Sequence, residues 1–185
     1  MGASGSGKST LLNILNGNYT PYSGAVTING NDIHHSRGDV SGMIGYISQD
    51  DLLIEELTVY QNLFLNAKLC FDGLSDEAIR ERVDKTLISL GLYEIKDIEV
   101  GSPMNKKISG GQRKRLNCGL ELIREPSVLF VDEPTSGLSS RDSENIMDLL
   151  KELALKGKLI FVVIHQPSSE IFKMFDKLMI TDTGG

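Results

Sequence analysis

The spacing of apolar residues changes period along the chain, and each change marks an element. Leu11, Leu12, Ile14 and Leu15 predict a first helix, after which Asn16-Gly17-Asn18 and Pro21-Tyr22-Ser23-Gly24 are turn chemistry. Ala25-Val26-Thr27-Ile28 predicts a short strand followed by the turn Asn29-Gly30-Asn31-Asp32, and Met43-Ile44-Gly45-Tyr46-Ile47 a buried strand ending in Ser48-Gln49-Asp50-Asp51. From Thr58 the period lengthens from two to about three and a half. Val59, Leu63, Ala67 and Cys70 then share one helical face with Thr58 as N-cap; Ser75 caps the next helix, whose stripe is Ile79, Val83, Leu87 and Leu90, and Gly91 stops it. A loop at Gly101-Ser102-Pro103 precedes a helix over residues 113–124, for which Ser109 is the cap. Residues 127–131 form a near-continuous apolar run, the pattern of a strand buried on both faces of a parallel sheet. Ser139 or Ser140 opens a helix carrying Ile146, Leu149, Leu150 and Leu153, which stops near Gly157. Residues 158–164 predict a second buried strand, residues 168–175 a short helix and residues 178–181 a last strand. This alternation specifies an α/β fold with a mainly parallel sheet. The helical stretch reads as a smaller inserted lobe, so residues 1–54 and 125–185 are expected to form the core and residues 55–124 a helical subdomain.

Length and charge narrow the function classes. With 185 residues, 40% hydrophobic and 24% charged, the chain suits one domain with a real core, or a core plus a small subdomain. A net charge of −6 argues against nucleic acid as a main partner, because phosphate backbones are held by a basic surplus. Cys70 and Cys118 lie far apart without a C-x-x-C, so neither a zinc site nor a disulfide framework is indicated, and a reducing, cytosolic setting is the simplest reading. The longest apolar runs fall far short of the roughly 20 residues of a spanning helix.

The chemistry centres on Gly2-Ala3-Ser4-Gly5-Ser6-Gly7-Lys8-Ser9-Thr10, which fits the phosphate-loop pattern G-x-x-x-x-G-K-[ST]. Glycines at 2, 5 and 7 let consecutive N–H groups face an anion without Cβ atoms in the way. Lys8 can reach β- and γ-phosphates, Ser9 can offer a hydroxyl to Mg²⁺, and the helix that follows points its positive end at the same phosphates. A phosphate loop normally follows a buried strand, and here only Met1 stands before Gly2, so the natural protein is expected to begin earlier.

Other candidates fall at predicted strand ends and helix starts. Gln49 lies just past a strand's carboxyl end, where open α/β sheets place ligands. Arg113, Lys114 and Arg115 crowd the first turn of their helix, against its dipole, an arrangement that suits either a bound anion or a solvated basic face. Asp132 and Glu133 end the most apolar strand, where Mg²⁺-nucleotide chemistry needs acids: Asp132 to hold the metal through water and Glu133 to orient and polarise an attacking water. His165 follows the next strand and suits a γ-phosphate contact, whereas His34 and His35 sit in a polar loop, with a surface role expected.

In this order the motifs resemble the nucleotide-binding domain of ABC transporters over essentially the whole chain. Gly2 to Thr10 is similar to Walker A, Gln49 to the Q-loop, Ser109-Gly110-Gly111-Gln112 to the ABC signature, Val128 to Glu133 to Walker B with its catalytic glutamate, Ser136 to Ser139 to the D-loop, and His165 to the switch histidine. Leu57-Thr58-Val59-Tyr60-Gln61-Asn62-Leu63, Gly119-Leu120-Glu121-Leu122-Ile123 and His165-Gln166-Pro167-Ser168-Ser169-Glu170-Ile171-Phe172 resemble the G, or White, subfamily. The resemblance implies a P-loop NTPase, RecA-like core with a mainly parallel sheet and an inserted helical subdomain. It implies ATP and Mg²⁺ as cofactors. Nucleotide contacts would come from Ser4, Gly5, Ser6, Gly7, Lys8, Ser9 and Thr10, and, across a head-to-tail dimer, from Ser109, Gly110, Gly111 and Gln112 of the other copy. Ser9, Gln49 and Asp132 would hold the metal, and Glu133, His165, Gln49 and Lys8 would carry catalysis. The implied partners are a second nucleotide-binding domain, identical or not, and a membrane-spanning domain on the same full-length chain, with this domain on the cytoplasmic side. The chain departs from the pattern at Ile108, where leucine is usual, and at Ser139, which replaces the customary D-loop aspartate.

Other readings fit less of the chain. A GTPase needs N-K-x-D, and Asn105-Lys106-Lys107-Ile108 lacks the aspartate. A soluble ABC-type ATPase is the main alternative, and a catalytically silent, ATP-gated module a third, against which Lys8, Glu133 and His165 stand.

Overall fold

The computed structural model describes residues 1–2, 5–35, 40, 42–102 and 104–182. The chain divides into two compact units, the first comprising Met1–Gln49, Pro126–Ser136 and Leu150–Gly185, the second Asp50–Glu125 and Gly137–Leu149.

The first unit is built on a three-stranded parallel sheet in the order β3 (Ile44–Ile47), β4 (Val128–Asp132), β5 (Leu159–Val163). All five residues of β4 are buried, as a central strand flanked on both edges requires. The strand predicted to be buried over residues 158–164 differs: Leu159 and Phe161 of β5 are 55% and 36% exposed. β5 is one of the two outer strands of this sheet, and its alternate side chains reach solvent. Phe161 still stacks on Phe130 of the neighbouring strand, centroids 4.9 Å apart. Helix α1 (Lys8–Leu15) packs against β4 and β5, with Leu12 in a cluster formed by Val128, Phe130 and Val163.

A small hairpin lies in the same unit. The strand expected over residues 25–28 is cut to β1 (Thr27–Ile28), and Asn31–Asp32, read as turn, is the return strand β2. Asn29 and Gly30 alone make the turn, with φ of 52° and 85°. His34 is not a surface residue: its side chain is 5% exposed, its Nε2 lies 2.9 Å from Tyr19 O, and its N–H donates to Asp32 Oδ1. His35 does face solvent, with Nδ1 3.1 Å from Asp32 Oδ2. Asp32 is thus an acidic partner of both histidines. The bond from the His34 N–H, then that from the His35 ring, hold its carboxyl below the usual range. The strand expected at residues 178–181 is absent as a strand. Among the described residues its backbone makes a parallel bridge, Gly2 to Thr181.

The second unit is helical: α2 (Val59–Cys70), α3 (Asp76–Ser89), a 3₁₀ turn (Tyr93–Ile95) and α4 (Gly110–Leu122). Its core joins Val59, Leu63 and Ala67 of α2 to Ile79, Val83 and Leu87 of α3 and to Leu116 of α4. Cys70, placed on the buried face by periodicity, is exposed, because it closes the last turn of α2. Thr58 and Gln61 form a capping box and Ser75 accepts from Ala78 N–H, each such cap contributing about 1 kcal/mol. Helix α5 (Ser140–Leu155) has its first residues in this unit and its last in the first unit. Helix α6 (Ser169–Lys173), capped by Ser168, is shorter than predicted. Among the described residues no helix is long and apolar enough to cross a membrane.

Candidate functional site

The phosphate loop differs from four other helix starts described above. Thr58, Ser75, Ser109 and Ser168 each accept a first-turn N–H through a side-chain oxygen, whereas α1 starts from Gly7, in the left-handed region at φ 79°, with no side-chain cap. The start of α1 therefore keeps its capacity to bind an anion. Gly5 is also left-handed at φ 78°, and a Cβ on Gly5 or Gly7 would meet nothing within 4 Å. Among the described residues nothing fills the space beside these two glycines.

Below that opening the loop is tied down. Lys8 Nζ donates to Gly2 O at 3.0 Å, curling over its own loop, and Ser6 Oγ and Thr181 Oγ1 share a hydrogen bond of 2.9 Å. Thr181 N–H donates to Met1 O at 2.7 Å. Sequence reasoning did not include Thr181 in the site; its signal was a polar residue closing the apolar stretch Leu178-Met179-Ile180. Ser9 and Thr10 are exposed, and Ser4 lies outside the described residues.

Parallel strands bring four further candidates to one sheet edge. Ile47 pairs with Val131 and Val131 with Val162, so Gln49, Glu133 and His165 all follow the carboxyl ends of neighbouring strands. Gln49 and Glu133 each stand two residues past the paired Ile47 and Val131. Asp132 is 7% exposed; Glu133 is half-buried, and Gln49 and His165 are exposed. Burial, and after it the charge of Asp132, push the Tyr46 phenol on β3 above its ordinary pKa. Glu133 and Gln166 both have φ of 45°, a conformation uncommon for long side chains, and they flank the ends of β4 and β5.

The Ser109 segment lies in the second unit. Ser109 Oγ accepts from Gln112 N–H at 3.1 Å while Gln112 Oε1 accepts from Ser109 N–H at 2.8 Å, and α4 starts at Gly110, three residues earlier than its apolar pattern indicated. The Ser109 hydroxyl serves the cap as acceptor, which leaves its proton to donate outward. Gln112 spends its side-chain oxygen on the cap.

The basic first turn is not the solvated face that one reading of it expected. Arg113 and Lys114 are buried, not a solvated face. The charge of Arg113 is met inside the chain: Nε lies 3.3 Å from Asp51 Oδ2, and its guanidinium donates to Val100 O and Gly101 O. Asn117, one turn further along α4, accepts Leu52 N–H at 3.0 Å, and Asn62 of α2 accepts Ile54 N–H at 2.9 Å. These residues fasten the segment just after Gln49 to the helical unit. Polar residues at core spacing were the signal available for them.

Comparison with known proteins fits this arrangement. The sequence profile of the ABC transporter family matches residues 1–136. All of the chain aligns with ABC transporter G family member 14 of Arabidopsis thaliana at 40% identity, and with ABC transporter G family member 25 of Oryza sativa subsp. japonica at 42%. It also aligns throughout with ABC-type transporter claG of Penicillium crustosum at 37%. The chain spans 28%, 18% and 25% of those three proteins, respectively. Among solved structures, the ATP-binding cassette MJ0796, a dimer in a post-hydrolysis state bound to ADP and Pi, matches with a TM-score of 0.79 at 29% identity, over 100% of this chain and 82% of that one. The chain therefore belongs to the ABC transporter family and is an ABC ATPase domain with the P-loop NTPase fold.

Proposed function

We propose that this domain binds MgATP and hydrolyses it within a head-to-tail pair of such domains, and that the cycle drives a membrane-spanning transport domain. The observation that carries the reading is the start of α1: a helix without a side-chain cap, two open left-handed glycines and Lys8 together suit the phosphates of a nucleotide. The residues also fit Mg²⁺. Ser9, Gln49 and Asp132 offer hard oxygen donors with one carboxylate among them, the set expected of an ion that takes its other ligands from phosphate and water. When bound, Mg²⁺ neutralises charge on the phosphates.

The chain's own residues then have distinct tasks. Gly5 to Thr10, with Ser4, hold the phosphates, and Lys8 is drawn from Gly2 O to them. Glu133 orients the attacking water and takes its proton, and His165 holds the γ-phosphate from the neighbouring strand end. Ser109, Gly110, Gly111 and Gln112 face the nucleotide of the second subunit, with the Ser109 proton and the α4 start as donors. The core carrying the phosphate loop and strand ends, residues 1–54 and 125–185, binds the nucleotide. The helical part, residues 55–124, passes the cycle through the Gln49 segment to the membrane domain. The full protein then works with this domain on the cytoplasmic side. The membrane coupling has support from the relatives' names and the pairing from the dimeric cassette.

Gly110→Asp tests the pairing, because it puts a carboxylate against phosphate across the interface. Binding of MgATP by a single subunit is expected to stay, and ATP-driven pairing in light scattering to vanish; persistent pairing refutes the arrangement. A full-length protein whose ATPase activity is indifferent to membrane reconstitution would instead place it among soluble ABC-type ATPases.

A further inference from the structure

Asp142 lies in the first turn of α5, and its carboxylate touches two segments of the helical unit. Ser139 Oγ donates to Asp142 Oδ2 at 2.8 Å and accepts from Asp142 N–H at 3.2 Å. On its other side the carboxylate abuts Gly111. A Cβ at position 111 would stand 2.2 Å from Asp142 Oδ1 and 2.6 Å from its Cγ, closer than real Cβ atoms approach anything. A side chain at 111 would displace a carboxylate of its own chain, before any nucleotide is considered. Leu138 extends the contact, with Cδ2 3.4 Å from the Cβ position of Gly110.

A helix cap needs less than this. The Ser139 hydroxyl alone caps α5, and the reach of Asp142 to Gly111 adds nothing to that cap. What it adds is a bridge between two segments: Leu138 and Asp142 sit on the first two residues of α4, and Asp142 holds Ser139. The bridging charge lies in the first turn of α5 and against that of α4, where helix dipoles favour an anion.

We propose that Asp142 is a positioning residue for the ATPase reaction. By bonding Ser139 and abutting Gly111, it fixes residues 137–139 to the start of α4, so that both segments meet the second subunit's nucleotide as one piece. This rests on the reading of Ser109, Gly110 and Gly111 as the half of the site supplied in trans.

The test uses the full-length protein. Asp142→Ala is expected to lower kcat about tenfold, the cost of small misplacement in a preorganised site, while each subunit's affinity for MgATP stays unchanged. Asp142→Asn keeps an oxygen for the Ser139 hydroxyl and is expected to recover most of kcat. Ser139→Ala should match Asp142→Ala, and the double variant should be no slower than either, because the two side chains act as one unit. Wild-type kcat in Asp142→Ala, no recovery in Asp142→Asn, or additive losses overturn the proposal. If Asp142→Ala melts too low to assay, Ser139→Ala carries the test, and unchanged kcat there refutes it. Gly110→Asp separates this proposal from the reading beneath it. Intact ATP-driven pairing in that variant refutes the trans site itself; blocked pairing alongside full kcat in Asp142→Ala refutes only the positioning role.

Discussion

Glu133 donates its backbone N–H to Val163 O at 3.0 Å, one step beyond the last paired residues of β4 and β5, and there the chain turns to φ 45°. The bond anchors the carboxylate-bearing residue to the outer strand, at the sheet edge that His165 follows. The backbone is held in a region that costs an L-residue about 1–2 kcal/mol. Glu133→Gln is expected to keep ATP affinity and lose turnover by at least about 100-fold, since shape is kept and the base is removed. Glu133→Gly should also be inactive, yet melt higher than Glu133→Ala, because only glycine relaxes that turn. Equal melts would mean the turn carries no strain.

Lys8 rests on Gly2 O in the described loop. Lys8→Ala is expected to abolish most MgATP binding in a fluorescent-nucleotide titration, as an ammonium and its charge-assisted bonds to phosphate are lost together. Its melting temperature should fall as well, because a part-buried bond to the Gly2 carbonyl is lost with it.

Arg113 and Asp51 give a prediction of the opposite kind, large in stability. Asp51→Ala removes the carboxylate beside a buried guanidinium that retains only carbonyl partners. A loss of about 1.5–3 kcal/mol is expected in urea melts. Asn117→Leu should cost about 1–3 kcal/mol through the Leu52 N–H it leaves unmatched. A loss below about 0.5 kcal/mol in either would show that water replaces the partner.

The two thiols should differ in reactivity. Cys70 is exposed, while burial pushes the Cys118 thiol up to about 12. A thiol reagent at pH 8 is expected to modify Cys70 in the native protein and both in denaturant. The raised value also sets a pH dependence. Below the unfolded value, about 9, both states hold the proton and stability is intact. Between there and about 12 only the unfolded chain releases it, so stability falls by about 1.4 kcal/mol per pH unit. Cys118→Ala should flatten that alkaline loss.

Motifs with short-range geometry were legible in the chain. Ser109 caps its helix as expected, and Val128 to Val131 is apolar throughout and lies between two strands. Long-range partners were not. No periodicity pairs Arg113 with Asp51 or Thr181 with Ser6, because those contacts depend on how distant segments return. The solvated-face reading of Arg113 failed for that reason: a sequence reports a charge near a helix start but not the carbonyls and the carboxylate around it. The strand expected at residues 178–181 failed on a related ground, since a strand is a property of a pair.

The outer position of β5 has a colloidal consequence. An outer strand offers a row of backbone donors and acceptors, and Leu159 and Phe161 add apolar side chains along it, so the strand is a template on which a second chain can extend the ladder. Handling of the domain is then governed by concentration more than by temperature. Turbidity should rise with protein concentration well below the melting point, and Leu159→Lys, which puts a charge on the strand's exposed face, should delay it without altering the melt.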